Sequence, residues 1–175
     1  MNRVRGRENM AIRKIITIGD DGLRKICRPQ EKFDRRLAVL LRDMADTMYK
    51  AEGVGLAAPQ VGILRRIAVV DVSEDHAGLI EMINPEIIEK DGEQTGREGC
   101  LSVPGRQAVV TRPRHVTVQF QNRNGETIQR EAEGFEARAI CHEIDHLDGR
   151  LYLDVMEREL TAEEIQSHIP EDDLE

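Results

Sequence analysis

The chain has 175 residues, which is enough for one domain with a proper hydrophobic core. Aromatic residues make up only 3% of it and tryptophan is absent, so the core must be built from aliphatic side chains. The net charge of −8 argues against general binding to DNA or to an anionic membrane. No apolar run approaches the roughly 18 residues of a membrane span and the N-terminus has no signal-peptide core, so we expect a cytoplasmic protein.

The polar start of the chain precedes a second methionine, Met10, which is typical of a natural start. We therefore expect residues 1–9 to be an extension or an expression remnant, and leave them out of the fold prediction. We expect residues 10–168 to form a single domain, because no repeat or linker interrupts them. Residues 169–175 are expected to be an acidic tail.

The first clear helix begins after Asp34, a residue suited to the N-cap position, and runs to about Ala51 before Gly53. Its apolar stripe has helical spacing and predicts a face packed on the core. The stripe consists of Leu37, Leu40, Leu41, Met44 and Met48. The following segment, 53–60, is rich in glycine and proline, and we predict no regular element there.

Short segments rich in β-branched residues come next and predict strands. The last two of them are joined by Asn124-Gly125, a strong hairpin signal. The predicted strands are 66–72, 79–84, 86–90, 93–97, 107–111, 115–121 and 126–133.

A second helix is predicted from about Gly134 to Gly149, and a capping-box pattern predicts a last helix over 161–167. The order of a helix, several strands and a helix indicates an α+β fold rather than a parallel βαβ array. We expect antiparallel β-sheets packed around a central helix, with an N-terminal helix and a short C-terminal helix.

The segment His142-Glu-Ile-Asp-His146 lies within the predicted central helix. Side chains four positions apart share one face of a helix, so both imidazoles can reach one metal ion, with Glu143 nearby as a proton carrier. The alternative is that the two histidines face solvent on an amphipathic helix, which would produce the same sequence pattern without a metal site. Apolar Ile144 and Leu147 place this helix against a core, which favours the metal site.

A third ligand must come from elsewhere in the chain, and the candidates are Cys100, His76, His115 and downstream acids. A thiolate with two imidazoles is a sound set for Zn²⁺ or Fe²⁺ and leaves a fourth position open for water. Cys141 points about 100° away from His142 on the helix, so we expect it to be a small buried side chain. The odd number of cysteines argues against a disulfide framework.

Three segments resemble the signature motifs of bacterial peptide deformylase, in family order and with family-like spacing. The resemblance begins at Met10, fades after about Asp154 and departs at residues 19–22, which lack the expected prolines in what we expect to be a surface turn. The three segments are Gly53-Val-Gly-Leu-Ala-Ala-Pro-Gln60, Glu98-Gly-Cys-Leu-Ser102 and His142-Glu-Ile-Asp-His146.

The resemblance implies that Cys100, His142 and His146 bind one divalent ion per chain, with water as the fourth ligand. Fe²⁺ is the implied physiological metal, and Zn²⁺, Ni²⁺ or Co²⁺ are alternatives in purified protein. The implied reaction is hydrolysis of the formyl group from the N-terminal formyl-methionine of newly made polypeptides, which releases formate. The implied partners are formyl-methionyl nascent peptides. The single domain of residues 10–168 is then a catalytic domain.

The resemblance also implies a role for each of several further residues. Glu143 fits a general base that takes the proton of the water and returns it to the leaving amine. The Gln60 amide and the Leu101 backbone N–H are the implied donors to the developing oxyanion. A solvated helix glutamate and an ordinary loop cap are the alternatives for Glu143 and Gln60.

Substrate binding is assigned by the resemblance to Val54, Gly55 and Gly99, where backbone around the two glycine loops pairs with an extended peptide. Glu98 is expected to pair with Arg112 and to hold the cysteine loop. Asp145 is expected either to orient a histidine or an arginine or to lie at the surface.

Two other functions stay open from the sequence. A metallopeptidase shares the helix motif but predicts a different third ligand, and a non-enzymatic metal-binding module predicts bound metal without turnover. The ribosome is a weaker candidate partner. From Glu157 to Glu175 there are eight acids and one arginine, so any ribosome contact is not expected to use this tail.

Overall fold

The structure is a computed structural model that describes residues 11–167. It contains four α-helices and eight strands within these residues. The helices are α1 (Arg35–Lys50), α2 (Gly134–Leu147), α3 (Tyr152–Val155) and α4 (Ala162–Gln166). The strands are β1 (Gly55–Ala57), β2 (Ile67–Val70), β3 (Ile80–Asp91), β4 (Gln94–Cys100), β5 (Val103–Arg112), β6 (His115–Gln121), β7 (Thr127–Glu133) and β8 (Arg158–Glu159).

All strand pairs within the two sheets are antiparallel. The larger sheet has the order β1-β2-β3-β6-β7 and the smaller one β4-β5-β8, so β1 and β4 are both edge strands. Helix α2 contacts strands of both sheets, including β1, β2, β5 and β7. This arrangement confirms the predicted α+β fold, with antiparallel sheets packed around the helix that carries the histidine motif.

Helix α1 begins and packs as its sequence predicts. The Asp34 side chain accepts a hydrogen bond from the Leu37 backbone N–H at 3.1 Å and so caps the helix. Leu41, Met44 and Met48 are fully buried against β1 and β2. The apolar stripe therefore joins the core that supports the edge of the larger sheet.

The connection after α1 is more regular than predicted. Gly55–Ala57 pair with β2 as a strand, and Ala58–Val61 form a 3₁₀ turn directly after it. The prediction of an irregular loop was wrong because the partner strand lies further along the chain, and glycine and proline content does not reveal long-range pairing.

Two predicted strands, 79–84 and 86–90, are a single strand, β3. Its pairing with β6 shifts register between Ile83 and Glu86, around Pro85, which has no N–H to donate to the ladder. Prediction also missed a 3₁₀ turn at Asp21–Arg24, where a surface turn was expected, and two short elements, α3 and β8. Short segments of this kind carry too little periodicity to be recognised in a sequence.

The expected extension at residues 1–9 and the expected acidic tail at residues 169–175 lie outside the described residues. Among residues 11–167, none of the helices combines the length and apolar character that crossing a bilayer requires.

Gly149 ends the α2 region in a left-handed conformation with φ of +72°. A Cβ atom there would lie 2.5 Å from the Arg24 carbonyl oxygen, which is backbone and cannot move aside cheaply. Gly62 has a similar φ of +80° but open space around its Cβ position. An alanine at Gly62 would therefore meet backbone strain alone, whereas an alanine at Gly149 would meet both backbone strain and a steric clash.

We expect Gly149→Ala to lower the free energy of unfolding by about 1–3 kcal/mol more than Gly62→Ala, because only the first also overpacks the structure. Chemical denaturation of the two variants measures this difference. Equal losses would show that the contact with the Arg24 carbonyl is relieved at no cost.

Candidate metal centre

The end of β4 and one face of α2 bring Cys100, His142 and His146 together. One ligand atom from each lies within 4.8 Å of the others, and the Cys100 Sγ is 3.3 Å from His146 Nε2. Tetrahedral sulfur and nitrogen ligands of one ion lie about 3.5 Å apart, which matches this spacing. Within residues 11–167 no other group of histidine, cysteine and acidic side chains meets the same criterion.

The hydrogen bonds of His142 fit a metal ligand. Its Nδ1 lies 2.8 Å from Glu98 Oε1, so Nδ1 donates to the carboxylate and Nε2 keeps its lone pair. A carboxylate behind a ligating imidazole is the usual support of a metal site. Together with the thiol and the second imidazole of His146, this donor set suits a single divalent ion.

Glu98 is the centre of a buried ionic network. Arg112 donates two hydrogen bonds to it, both at 2.9 Å, and Arg138 donates a third at 2.7 Å. Burial by itself would raise the pKa of Glu98, but hydrogen bonds from His142 and Arg112 hold that pKa well below its ordinary value. Glu98 is therefore an anion, and it stabilises the two arginines and the histidine that donate to it.

The expected pairing of Glu98 with Arg112 is confirmed, and Arg112 also donates to Asp145 at 2.6 Å. Asp145 thus contacts an arginine, one of the two alternatives that the sequence left open. Arg138 was missed by the sequence reasoning. Its signal was its position four residues before His142, which places it on the same face of α2 as the histidine motif.

Glu143 is buried beside the three clustered ligands. Its Oε2 has no hydrogen-bond partner among the described residues, and burial raises the pKa of its carboxyl group to about 7. A Cβ atom on Gly55 would lie only 2.4 Å from Glu143 Oε1. Glycine at this position therefore makes room for the glutamate as well as for a ligand.

Gln60, in the 3₁₀ turn after β1, is held with its amide pointing toward the cysteine loop. Its Oε1 accepts from the Ala57 N–H at 2.9 Å, and its Nε2 donates to Ser102 Oγ at 3.0 Å. The same Nε2 lies 3.6 Å from Cys100 Sγ. Leu101 lies between Cys100 and Ser102, so its backbone is part of the same loop.

A cavity of about 500 Å³ opens beside the three ligands. Its walls come from the two edge strands, from β5 and from α2. Val54, Gly55 and Gly99 line it, as does Phe135, which is 53% exposed. The predicted site residues thus converge on one cavity and on the ligand cluster beside it. The outer edges of β1 and β4, which pair with no further strand among residues 11–167, flank them.

The other candidate ligands lie elsewhere. His76 stacks on Tyr49, and His115 pairs with Glu133 across β6 and β7. Cys141 is half-buried rather than buried as expected, and burial raises the pKa of its thiol to about 11, so it stays protonated. None of the three belongs to the clustered ligands.

A thiol, two imidazoles and a buried carboxyl group at the wall of a cavity are the groups that a metal-dependent hydrolase needs, and the family match shows that the chain belongs to this class. The chain belongs to the peptide deformylase family, since the model of that family, polypeptide deformylase, matches residues 12–161.

Relatives and solved structures agree with this assignment. The peptide deformylase of Caldicellulosiruptor bescii is 54% identical over 157 residues, which cover 90% of this chain and 93% of the relative. A crystal structure of a peptide deformylase from Legionella pneumophila has a TM-score of 0.82 at 47% identity and covers 84% of this chain and 87% of its own. The peptide deformylase structure from Thermotoga maritima has a TM-score of 0.81 at 42% identity, and the match covers 84% of this chain and 99% of its own.

The chain is therefore a metal-dependent hydrolase that removes the formyl group from the N-terminal formyl-methionine of polypeptides. This confirms the leading hypothesis from the sequence. The family assignment decides against both a metallopeptidase and a non-enzymatic metal-binding module.

We expect Glu98→Gln to destabilise the protein by about 3–5 kcal/mol, because it leaves two buried arginines without their shared anion. Thermal and chemical unfolding measure the loss. The control is Glu81→Gln, which removes a carboxylate from a more exposed pair with Arg123 and should cost no more than about 1 kcal/mol. Similar losses in the two variants would contradict the central role of the Glu98 network.

Proposed function

We propose that Cys100, His142 and His146 hold the metal ion of this deformylase and that Glu143 moves the proton in the reaction. The observation that carries this proposal is the convergence of one sulfur and two ring nitrogens within 4.8 Å, beside a buried glutamate. Family membership supports the same assignment, because these residues stand in the segments that resemble the family motifs.

The donor set suits Fe²⁺, which we propose as the physiological metal, with Zn²⁺, Ni²⁺ or Co²⁺ as alternatives in purified protein. When bound, the ion supplies Lewis-acid chemistry, lowering the pKa of a water molecule and polarising the formyl oxygen. The hydrogen bond from Nδ1 to Glu98 fixes the His142 ring and leaves Nε2 as the nitrogen that would bind the ion.

Glu143 is suited to carry a proton in both directions. With a pKa of about 7, its carboxyl group can accept a proton from water and return it to the amine that leaves. Its Oε2 has no hydrogen-bond partner among residues 11–167, so no protein donor competes for this oxygen. An ion held by Cys100, His142 and His146 would lower this pKa, so Glu143 would be a carboxylate at the start of the reaction.

The Gln60 amide and the Leu101 backbone N–H are proposed to stabilise the charge that develops on the formyl oxygen. Gln60 is held in place at its acceptor end by Ala57, which leaves its Nε2 directed at the cysteine loop. Orientation before the substrate arrives is what makes such a donor effective.

The substrate is proposed to lie as an extended peptide between the free edges of β1 and β4. Both edges flank the cavity, and unpaired backbone groups on an edge strand can pair with an added strand. Val54, Gly55 and Gly99 supply this backbone contact. The methionine side chain is proposed to point toward the α2 wall, where Phe135 and Ala139 are apolar.

We further propose that residues 10–168 act as one catalytic domain, since the ligands come from both β4 and α2 and a split chain would lose the site. The proposed setting is the cytoplasm, where the substrates are nascent chains. Any contact with the ribosome is proposed not to use the acidic tail, because its charge has the wrong sign for phosphate.

We expect Cys100→Ser to lose most of its metal, from about one ion per chain in the parent protein, because a hydroxyl is a far weaker ligand than a thiolate. Metal analysis of anaerobically purified protein measures this. Cys141→Ser is the matched control and should keep its metal, since Cys141 lies outside the cluster. Full metal content in Cys100→Ser would refute the proposed ligand set.

We expect Glu143→Ala to keep its metal but to release formate from formyl-Met-Ala-Ser about 10²–10⁴-fold more slowly, because the proton carrier is lost. Glu136→Ala, on the same helix but paired with Arg130 away from the ligands, should behave like the parent protein. Turnover by Glu143→Ala at close to the parental rate would rule out its proposed role.

A further inference from the structure

Arg97, on β4, stands out among the charged residues that line the cavity. It is half-buried, and its Nη2 is buried with no hydrogen-bond partner among the described residues. Nor does it form an ion pair with any residue in the range 11–167. An unpaired, partly desolvated guanidinium is costly, and the cost falls when a carboxylate binds.

The other cavity arginines are already neutralised. Arg106 donates two hydrogen bonds to Glu159, at 2.6 and 3.0 Å, and Arg138 is bound to Glu98. Arg97 is therefore the cavity cation, within the described part of the chain, that still lacks an anionic partner.

Gln107 adds a second unsatisfied group on the same side of the sheet. Its Oε1 is buried without a partner among the described residues, and it also lines the cavity. Gln107 is the partner of Gly99 in the register of β4 and β5, and a Cβ on Gly99 would lie 3.5 Å from Gln107 Cγ. Because side chains alternate along a strand, Arg97 shares this face with Gly99 and Gln107.

The opposite face of β4 belongs to catalysis. Glu98 points toward α2, where it contacts His142 and Arg138. A peptide that pairs with the β4 edge alternates in the same way, so a methionine directed toward α2 places the next side chain on the Arg97 face. The residue that directly follows methionine is thus on the face of β4 that carries Arg97, and the third residue is on the other face.

We propose that Arg97, assisted by Gln107, recognises a carboxylate side chain on the residue directly after the formyl-methionine. This inference rests on the proposed binding of an extended peptide at the β4 edge. Bound carboxylate would accept hydrogen bonds from the guanidinium, while the uncharged amide of Gln107 can turn its NH₂ group toward the same oxygens. The result is a preference for glutamate or aspartate at this position.

The overall electrostatic field of the protein does not favour substrates with an acidic side chain. The net charge is −8, and Glu52, which also lines the cavity, is an exposed carboxylate from the α1–β1 connection. A preference for an acidic residue must therefore come from direct contact with Arg97 and cannot come from long-range attraction.

The test uses the full, metal-loaded enzyme with formyl-Met-Glu-Ser-amide and formyl-Met-Gln-Ser-amide. The amide removes the terminal carboxylate, and formate release gives kcat and KM. We expect kcat/KM to be about three- to tenfold higher for the glutamate peptide, mainly through a lower KM. This is the size of effect that one charged hydrogen-bonded contact near the surface produces. In Arg97→Gln the ratio should fall to about one, and in Arg97→Glu it should invert.

Two controls separate direct contact with Arg97 from a change in net charge and from contact with another peptide position. Arg123→Gln changes the net charge by the same amount at a surface pair with Glu81 and should keep the parental ratio. Moving the glutamate to the third position should abolish the preference, because that side chain lies on the other face. A parental ratio of one, a ratio that survives in Arg97→Gln, or a preference only at the third position overturns the inference.

This outcome is separable from failure of the proposed function. The parent protein can turn over the glutamine peptide normally, lose this activity in Glu143→Ala and still show no preference for glutamate. That result would refute only the role of Arg97. If neither peptide shows turnover that depends on Glu143, the proposed function itself is refuted.

Discussion

The structure depends on one buried carboxylate. Glu98 receives hydrogen bonds from Arg112, Arg138 and His142, and so joins the smaller sheet to the central helix through charge. Burying these ions is expensive unless all of them are paired, and here each arginine also finds a second acceptor, Asp145 or the carbonyl of Val110. The network therefore holds the cysteine at the end of β4 close to the histidines of α2.

The chemistry of the site follows from placing groups of different character around this anion. Glu98 stays ionised because positive and donating groups surround it, whereas Glu143 is buried with an oxygen that has no donor among the described residues, and its pKa rises to about 7. The two glutamates thus differ in character: Glu98 anchors the imidazole of His142, and Glu143 is the one that we propose exchanges a proton.

The substrate path that we propose follows from the outer edges of β1 and β4, which pair with no further strand among the described residues. β1 and β4 end their sheets at the cavity, so backbone groups from each can meet an extended peptide. Close approach has a strict steric condition at Gly55, where any Cβ would collide with Glu143. Arg97, which has no anionic partner among residues 11–167, lies on β4 three positions before Cys100, where we propose that the second residue of the peptide passes.

The sequence by itself determined the two main helices, most strand positions and the kinds of donor in the site, because periodicity, capping and the spacing of His142 and His146 are local properties. It did not determine that 53–60 contains a strand or that β3 is continuous, since pairing partners decide both. Only the tertiary structure brought Cys100 to His146, 46 positions away, and surrounded Glu98 with partners from distant elements. Burial raises the pKa of Glu143, and the packing around β4 leaves Arg97 with no anionic partner among residues 11–167. Both features depend on the surroundings of a side chain in the folded protein, which no sequence pattern reports.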